Sequence, residues 1–418
     1  MLIQFRFKNF KSFRDDTILD FTATKITEYS QRIISVGNEK LLPVAAIFGA
    51  NASGKSNVIE AFRFMAIYVM NSFSYGGENK DKKNKSNTLK CTPFLFDNSS
   101  KNAESSFEIY FMDTEKHKFK SYHYGFTLNQ DGIIEEWLNS KAKTAKEYKR
   151  IFYRNKKELD LSGLSTNSRE LIEISLNKET LIVSLGAKLK ITLLKTIRNW
   201  FYNTNCVNFG NPYENAAFSH VIPDGFIENK SVQDNVVKYL SSFDSSIIGF
   251  DIKVFKDNEG DFHEINIKTV HKTIGGGENS IPLEEESDGT LKMFALYPVL
   301  QDTLSNGGIL FLDELNARLH PLLVRNFLLA FLNPEINQKH AQLVFTTHDS
   351  WQLSNNLLRR DEIWFTEKDQ NGISNLYSLA DFSDEGGTKI RKDENYEKNY
   401  MLGKYGAIPL LNNFNMFN

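Results

Sequence analysis

The run Gly49–Asn57, GANASGKSN, is the part of the chain best suited to hold phosphate. It satisfies the pattern GxxxxGK followed by Ser or Thr. Small residues let backbone N–H groups close on phosphate oxygens, Lys55 has the reach to bridge the β- and γ-phosphates, and Ser56 offers a hydroxyl to Mg²⁺. The candidate nucleotide contacts are Gly49, Asn51, Ala52, Ser53, Gly54, Lys55, Ser56 and Asn57. The surroundings suit this reading. Apolar VAAIF precedes the run, and after it Val58, Phe62, Met65, Ala66 and Met70 recur at the three- and four-residue spacing of an amphipathic helix.

Three further stretches carry chemistry. ILFLDE, Ile309–Glu314, reads as a buried strand that delivers Asp313 to the water shell of a metal and Glu314 to an attacking water. LVFTTHDS is a second buried strand that ends at His348, an imidazole able to reach a γ-phosphate oxygen without adding a fixed charge. In EESDGTLKMF, Ser287 and Gly289 precede a helix expected to begin near Leu291, where free N–H groups and the helix dipole favour an anion. Each has a plain alternative: an acidic turn after a core strand, a structural histidine, an ordinary N-cap. No Asn-Lys pair is followed by the Asp that guanine recognition needs, so the nucleotide is expected to be ATP, with Mg²⁺.

The elements that position these residues are legible in outline. The 418 residues suffice for two or three compact units, and 50 basic against 52 acidic residues leave any nucleic-acid contact to local patches. Cys91 and Cys206 form neither a disulfide framework nor a metal site, which fits a reducing cytoplasm, and the longest apolar runs are too short for a bilayer. Ile3, Phe5 and Phe7 alternate with polar residues as in a half-buried strand; Thr17–Phe21 and Val44–Phe48 continue a sheet. Gly76–Lys90 reads as a polar surface loop, and FEIYFM, SYHYGFTLN and GIIEEWLN as an antiparallel β-subdomain near residues 105–160. Helical patterns occupy about 168–243. IIGFDIKVF and FHEINIKTV form a hairpin, and sheet character returns in GGILFLDE and AQLVFTTH. The fold class is α/β. The expected division is 1–165 for the first half of an ATPase head with its β-subdomain, 166–245 for a helical insertion and 246–418 for the second half of the head.

Taken in order, these pieces resemble the ABC-type P-loop ATPase heads of the SMC and RecF branch. That resemblance adds NFKSF at Asn9–Phe13, a signature at ESDGT and a D-loop at ARLHP, Ala317–Pro321. It implies a homodimer, or a higher even oligomer, in which Ser287 and Gly289 of one copy close over the γ-phosphate held by Lys55 of another. The chain is more closely similar to bacterial AAA-type ATPases of the abortive-infection group, the AbiL and RloA-like proteins, and more loosely to OLD-family ATPases. NFKSF, GANASGKSN, ESDGT, LFLDELNARLHPLL, FTTHD, RRDEIWFTEKD and KYGAIP carry that similarity. It implies the ATPase part of an anti-phage system, answering a phage-derived trigger and paired with a separate effector, a TOPRIM-type nuclease or toxin. The alternative is a DNA repair or recombination ATPase of the RecF and SMC kind. A transporter subunit is disfavoured by NFKSF and by the signature. Two departures stand out: Asp288 occupies a position that is glycine in LSGGQ, and Pro93–Asp97, where a Q-loop is expected, contains no Gln.

Two segments stay open. Lys141–Lys157 interleaves Lys and Arg with Tyr148, Phe152 and Tyr153, which suits either a nucleic-acid backbone or a solvated face. The tail Gly387–Pro409 suits either a partner or docking on its own domain. No DxD, HNH-like or PD-ExK arrangement appears, so a nucleolytic effector would be another chain.

Overall fold

Three stretches are apolar almost without interruption, and a strand buried on both faces must be. In the computed structural model, which describes residues 1–75, 89–113, 120–218, 221–256, 262–383, 387 and 389–409, every residue of Val44–Gly49, Ile309–Asp313 and Gln342–Thr346 is buried. They lie side by side in a six-stranded sheet ordered Thr204–Asn208, Ile309–Asp313, Gln342–Thr346, Val44–Gly49, Ile363–Lys368 and Ser374–Ser378. All neighbours are parallel except the last pair. The register sets Leu312 beside Phe345 and Thr346 beside Ile47, so the three strands end at one edge. The crevice outside the carboxyl ends of such a sheet is where ligands bind.

The first of these strands lies inside the stretch read as helical. Thr204–Asn208 is polar and only half-buried, as an edge strand can be, and carries no alternation to betray it. Most of the expected polar loop Gly76–Lys90 lies outside the described residues, apart from Leu89 and Lys90.

A second sheet of seven antiparallel strands includes Leu2–Lys8, Ser105–Asp113, Lys120–Asn129, Gly132–Ala142 and Lys149–Arg154. The helix Lys55–Asn71 fills the space between the two sheets. Its Phe62 stacks on Phe311 of the parallel sheet, with centroids 4.0 Å apart, and meets Phe5 of the antiparallel sheet edge-on at 5.4 Å. Buried Gln342 fastens the sheets to each other. Its Oε1 accepts from the Leu2 N–H at 2.6 Å, and its Nε2 donates to the Leu2 and Leu42 carbonyls. The helix that follows the phosphate loop is therefore fixed from both sides.

A smaller sheet, Ile247–Lys256, Phe262–Lys272 and Glu278–Pro282, leads to the helix Asp288–Asn306. That helix starts before the expected Leu291, because Ser287 caps it by accepting from the Thr290 N–H at 3.1 Å. The tail docks on its own chain. The helix Tyr396–Met401 and buried Tyr405 pack on Phe365, and the Ala407 carbonyl accepts from the Ala50 N–H at 2.9 Å. Among the described residues, no helix is long and apolar enough to cross a membrane.

The basic run Lys141–Lys157 divides into surface and core. Arg154 is buried, with Nε 3.1 Å from a carboxylate oxygen of fully buried Glu136 and Nη2 donating to the Thr180 carbonyl at 2.6 Å. Glu136 in turn accepts from Tyr124 Oη and from the N–H groups of Ile182 and Val183 at the start of the helix Ile182–Lys188. Arg154 is thus a core tether, whereas Lys149 and Arg150 are exposed. Replacing Arg154 with Ala strands a buried carboxylate and should cost about 3–5 kcal/mol in urea denaturation. Lys149→Ala and Arg150→Ala should each stay within about 0.5 kcal/mol, and equal effects at all three positions would contradict this division.

Candidate active site

The phosphate loop owes its path to two glycines. Gly49 has φ 153° and Gly54 φ 114°, and a Cβ on Gly49 would lie 2.4 Å from the Thr366 carbonyl oxygen, one on Gly54 2.6 Å from Ser374 Oγ. Neighbouring hydroxyls hold the loop from outside. Ser53 Oγ shares a hydrogen bond with Thr366 Oγ1 at 2.6 Å, and Ser374 Oγ donates to the Ser53 carbonyl at 2.7 Å and shares a hydrogen bond with Ser12 Oγ at 2.8 Å. Asn57 Nδ2 also donates to Ser12 Oγ, and Lys11 pairs with Glu60 on the helix, so NFKSF is fastened to the loop and the helix after it. Lys55 is buried, and its ammonium donates to the carbonyls of Gly49 at 2.9 Å and Ala50 at 3.0 Å. Burial pulls its pKa down, against the pull of the Glu314 and Asp313 carboxylates.

At the end of the adjacent strands, one hydroxyl organises two carboxylates. Thr346 Oγ1 donates to Asp313 Oδ1 and accepts from the Glu314 N–H at 2.9 Å. Asp313 is buried; burial raises its pKa, and hydrogen bonds from Thr346 and Ser56 oppose the rise. Glu314 has φ 57°, a left-handed conformation unusual for a side chain of this size, so the chain turns sharply after Asp313. Its Oε2 lies 3.0 Å from His348 Nδ1. Asn316 Nδ2 lies 3.0 Å from His348 Nε2, while Asn316 Oδ1 accepts from Thr347 Oγ1 at 2.8 Å. An amide donating to Nε2 places the imidazole proton on Nδ1, facing Glu314.

Lys55, Ser56, Asp313, Glu314 and His348 therefore converge at one edge. Ser287 and Gly289 stand instead at the start of the helix Asp288–Asn306. Ser287 Oγ is engaged with Thr290, and a Cβ on Gly289 would sit at ordinary distance, 3.6 Å, from the Arg318 carbonyl oxygen. Beneath that corner Lys292 is buried, 3.8 Å from the centre of the Phe209 ring, its ammonium donating to the Leu315 and Ala317 carbonyls. The Pro93–Asp97 segment lies against NFKSF: the Phe94 N–H donates to Asn9 Oδ1 and the Lys11 N–H to the Thr92 carbonyl.

Thr346, Asn316, Ser374 and Lys292 join the site without a place among the residues expected from sequence. Thr346 and Asn316 had a signal, a hydroxyl closing an apolar strand and an amide after Asp-Glu. Ser374 and Lys292 had none, since their partners are distant in the chain.

Residues 44–350 match the family model described as "AAA domain, putative AbiEii toxin, Type IV TA system". The chain belongs to this AAA-domain family. Membership implies an ATPase that binds nucleotide. No curated protein matches the chain. Among solved structures, it is similar to an Smc head bound to the C-winged helix domain of ScpA, at 14% identity and TM-score 0.45, covering 93% of this chain and 99% of that one. It is also similar to an Smc head with an extended coiled coil bound to the C-terminal domain of ScpA from Pyrococcus furiosus, at 14% identity and TM-score 0.39, covering 90% and 96%. The family assignment rests on the match over 44–350 and not on these likenesses.

Two measurements probe this geometry. Gly54→Ala should weaken ATP binding by about 5- to 150-fold in calorimetry, since ~1–3 kcal/mol of loop strain accompanies the added methyl; unaltered affinity would contradict the packing against Ser374. Burial lowers the Lys292 pKa to about 7 from its ordinary 10.5, the Arg318 cation adding to the fall and Glu314 opposing it. Between those values the unfolded chain binds more protons, so stability should rise with pH, by at most ~1.4 kcal/mol per pH unit. Lys292→Met should remove that rise between pH 7 and pH 9, and parallel slopes for the two proteins would contradict it.

Proposed function

We propose that two copies of this chain bind ATP head to tail and hydrolyse it in pockets that each copy completes for the other. Ser287 and Gly289 of one copy would close over the γ-phosphate lying against Lys55 of its mate. The observation that supports hydrolysis best is the disposition of Glu314, left-handed directly after Asp313, held against His348 and near enough to Lys55 for their charges to interact; the pairing of copies rests on the resemblance to SMC and RecF heads.

The chemistry follows from the residues present. Glu314 orients the attacking water and accepts its proton, and His348 sets the direction of that carboxylate. Lys55 exchanges the Gly49 and Ala50 carbonyls for phosphate oxygens, and the N–H groups of Gly54, Lys55 and Ser56 would face the β-phosphate. Charge that develops on the transferring phosphoryl meets Lys55 and Ser287 of the second copy, while His348, whose one N–H faces Glu314, acts through that carboxylate. Ser56 and, through water, Asp313 are already hydrogen-bonded to each other and supply the hard oxygen donors that suit Mg²⁺. Among the described residues, no cluster of three or more His, Cys, Asp or Glu holds a metal unaided, and an ion shared with substrate phosphates needs none. When bound, Mg²⁺ would supply positive charge against that of the triphosphate, held by Ser56 and Asp313.

In the cell this ATPase is a switch of an abortive-infection system of the AbiL and RloA-like kind, in the cytoplasm, that holds or licenses a separately encoded toxic effector after a phage-derived trigger. Membership of a family named for a toxin–antitoxin toxin supports that setting.

Glu314→Gln keeps the charge-independent contacts and removes the base. It should bind ATP and lower turnover by about 10²- to 10⁴-fold. Phosphate release at the parent rate in this variant would take Glu314 out of the mechanism.

A further inference from the structure

On the reading above, the start of the helix Asp288–Asn306 faces the triphosphate held by a second copy, and there Asp288 places a carboxylate where the LSGGQ pattern has only backbone. A bare carboxylate at that point repels phosphate. The same corner carries a compensating cation, since Arg318 Nη1 lies 3.3 Å from Asp288 Oδ2, with both side chains more than half exposed. An exposed ion pair of this kind contributes little to folding. Yet Arg318 holds φ 60°, a left-handed conformation that a side chain of its size adopts only against a cost. The turn from Asn316 to buried Leu319 accounts for that backbone, but not for the exposed pair it presents.

Presentation does. Lys292 grips the Leu315 and Ala317 carbonyls on either side of Asn316, so Arg318 extends from a loop fixed to the signature helix. The guanidinium has five N–H donors and Asp288 engages one edge of it, which leaves the remainder for phosphate oxygens. A cavity of about 270 Å³, bounded by Asp288, Leu291, Lys292 and Arg318 with Asn215 and Phe218, leaves the side chain room to turn.

We propose that Arg318 of one copy is a catalytic cation for the ATP bound by the other, aimed by Asp288, so that the pair replaces the neutral glycine of the usual signature. This rests on the shared-pocket reading.

The test uses the full chain in the Glu314→Gln background, where ATP accumulates. Dimer formation is followed by light scattering against ATP concentration, and turnover is measured separately with Glu314 intact. Arg318→Ala should need far more ATP to dimerise and should turn over about 10²-fold or more slower, with Arg318→Lys intermediate. Asp288→Gly combined with Arg318→Ala should recover dimerisation, because no unpaired carboxylate remains, without recovering turnover. If the Glu314→Gln parent dimerises and Arg318→Ala matches it in both assays, Arg318 has no such role while the shared pocket stands. If the parent itself stays monomeric with ATP, the shared pocket falls, and Arg318's part in it falls too.

Discussion

A single hydroxyl, that of Thr346, sits where the parallel sheet and the candidate chemistry meet. It donates to buried Asp313 and accepts from the backbone of Glu314, so it steadies one carboxylate and fixes the turn that aims the next. This is possible only because Gln342–Thr346 lies between Ile309–Asp313 and Val44–Gly49, all three ending at one edge. Strands that must be apolar to be buried leave their chemistry at their ends, and the phosphate loop, the acidic pair and His348 are those ends.

The turn 315–318 connects that edge to the helix Asp288–Asn306 residue by residue. Asn316 reaches His348, the carbonyls of Leu315 and Ala317 receive Lys292, and Arg318 meets Asp288. A buried lysine that satisfies two backbone carbonyls is a costly device, since burial lowers the pKa of its ammonium to about 7. It makes the corner bearing Ser287 and the turn bearing Glu314 parts of one body. On the other flank the tail reaches the phosphate loop through the Ala407 carbonyl and the Ala50 N–H.

What the sequence discloses depends on how locally each feature is built. GANASGKSN and ILFLDE each hold their chemistry within one contiguous run beside a buried strand, and the structure brings Lys55, Ser56, Asp313, Glu314 and His348 together. Thr204–Asn208 was hidden because a polar edge strand has no hydrophobic period. The helix at Asp288 starts early because a cap from Ser287 outweighs apolar spacing as a start signal. Arg154 looked like its neighbours in a basic run, since sequence gives the charge of a side chain and not the buried carboxylate waiting for it on another strand. Ser374 on the phosphate loop and Ala407 on Ala50 are long-range contacts that only the assembled fold supplies.

The central claim, that each ATP pocket is completed by a second copy, is tested most directly by mixing two inactive variants. Lys55→Ala removes the phosphate lysine, and Ser287→Arg blocks the signature corner. Mixed in equal amounts, they form hybrids holding one intact composite pocket, and the account expects activity to return to at most about a quarter of the parent's, given random pairing into twofold dimers. A mixture as inactive as its components, or full activity in Ser287→Arg alone, would contradict it.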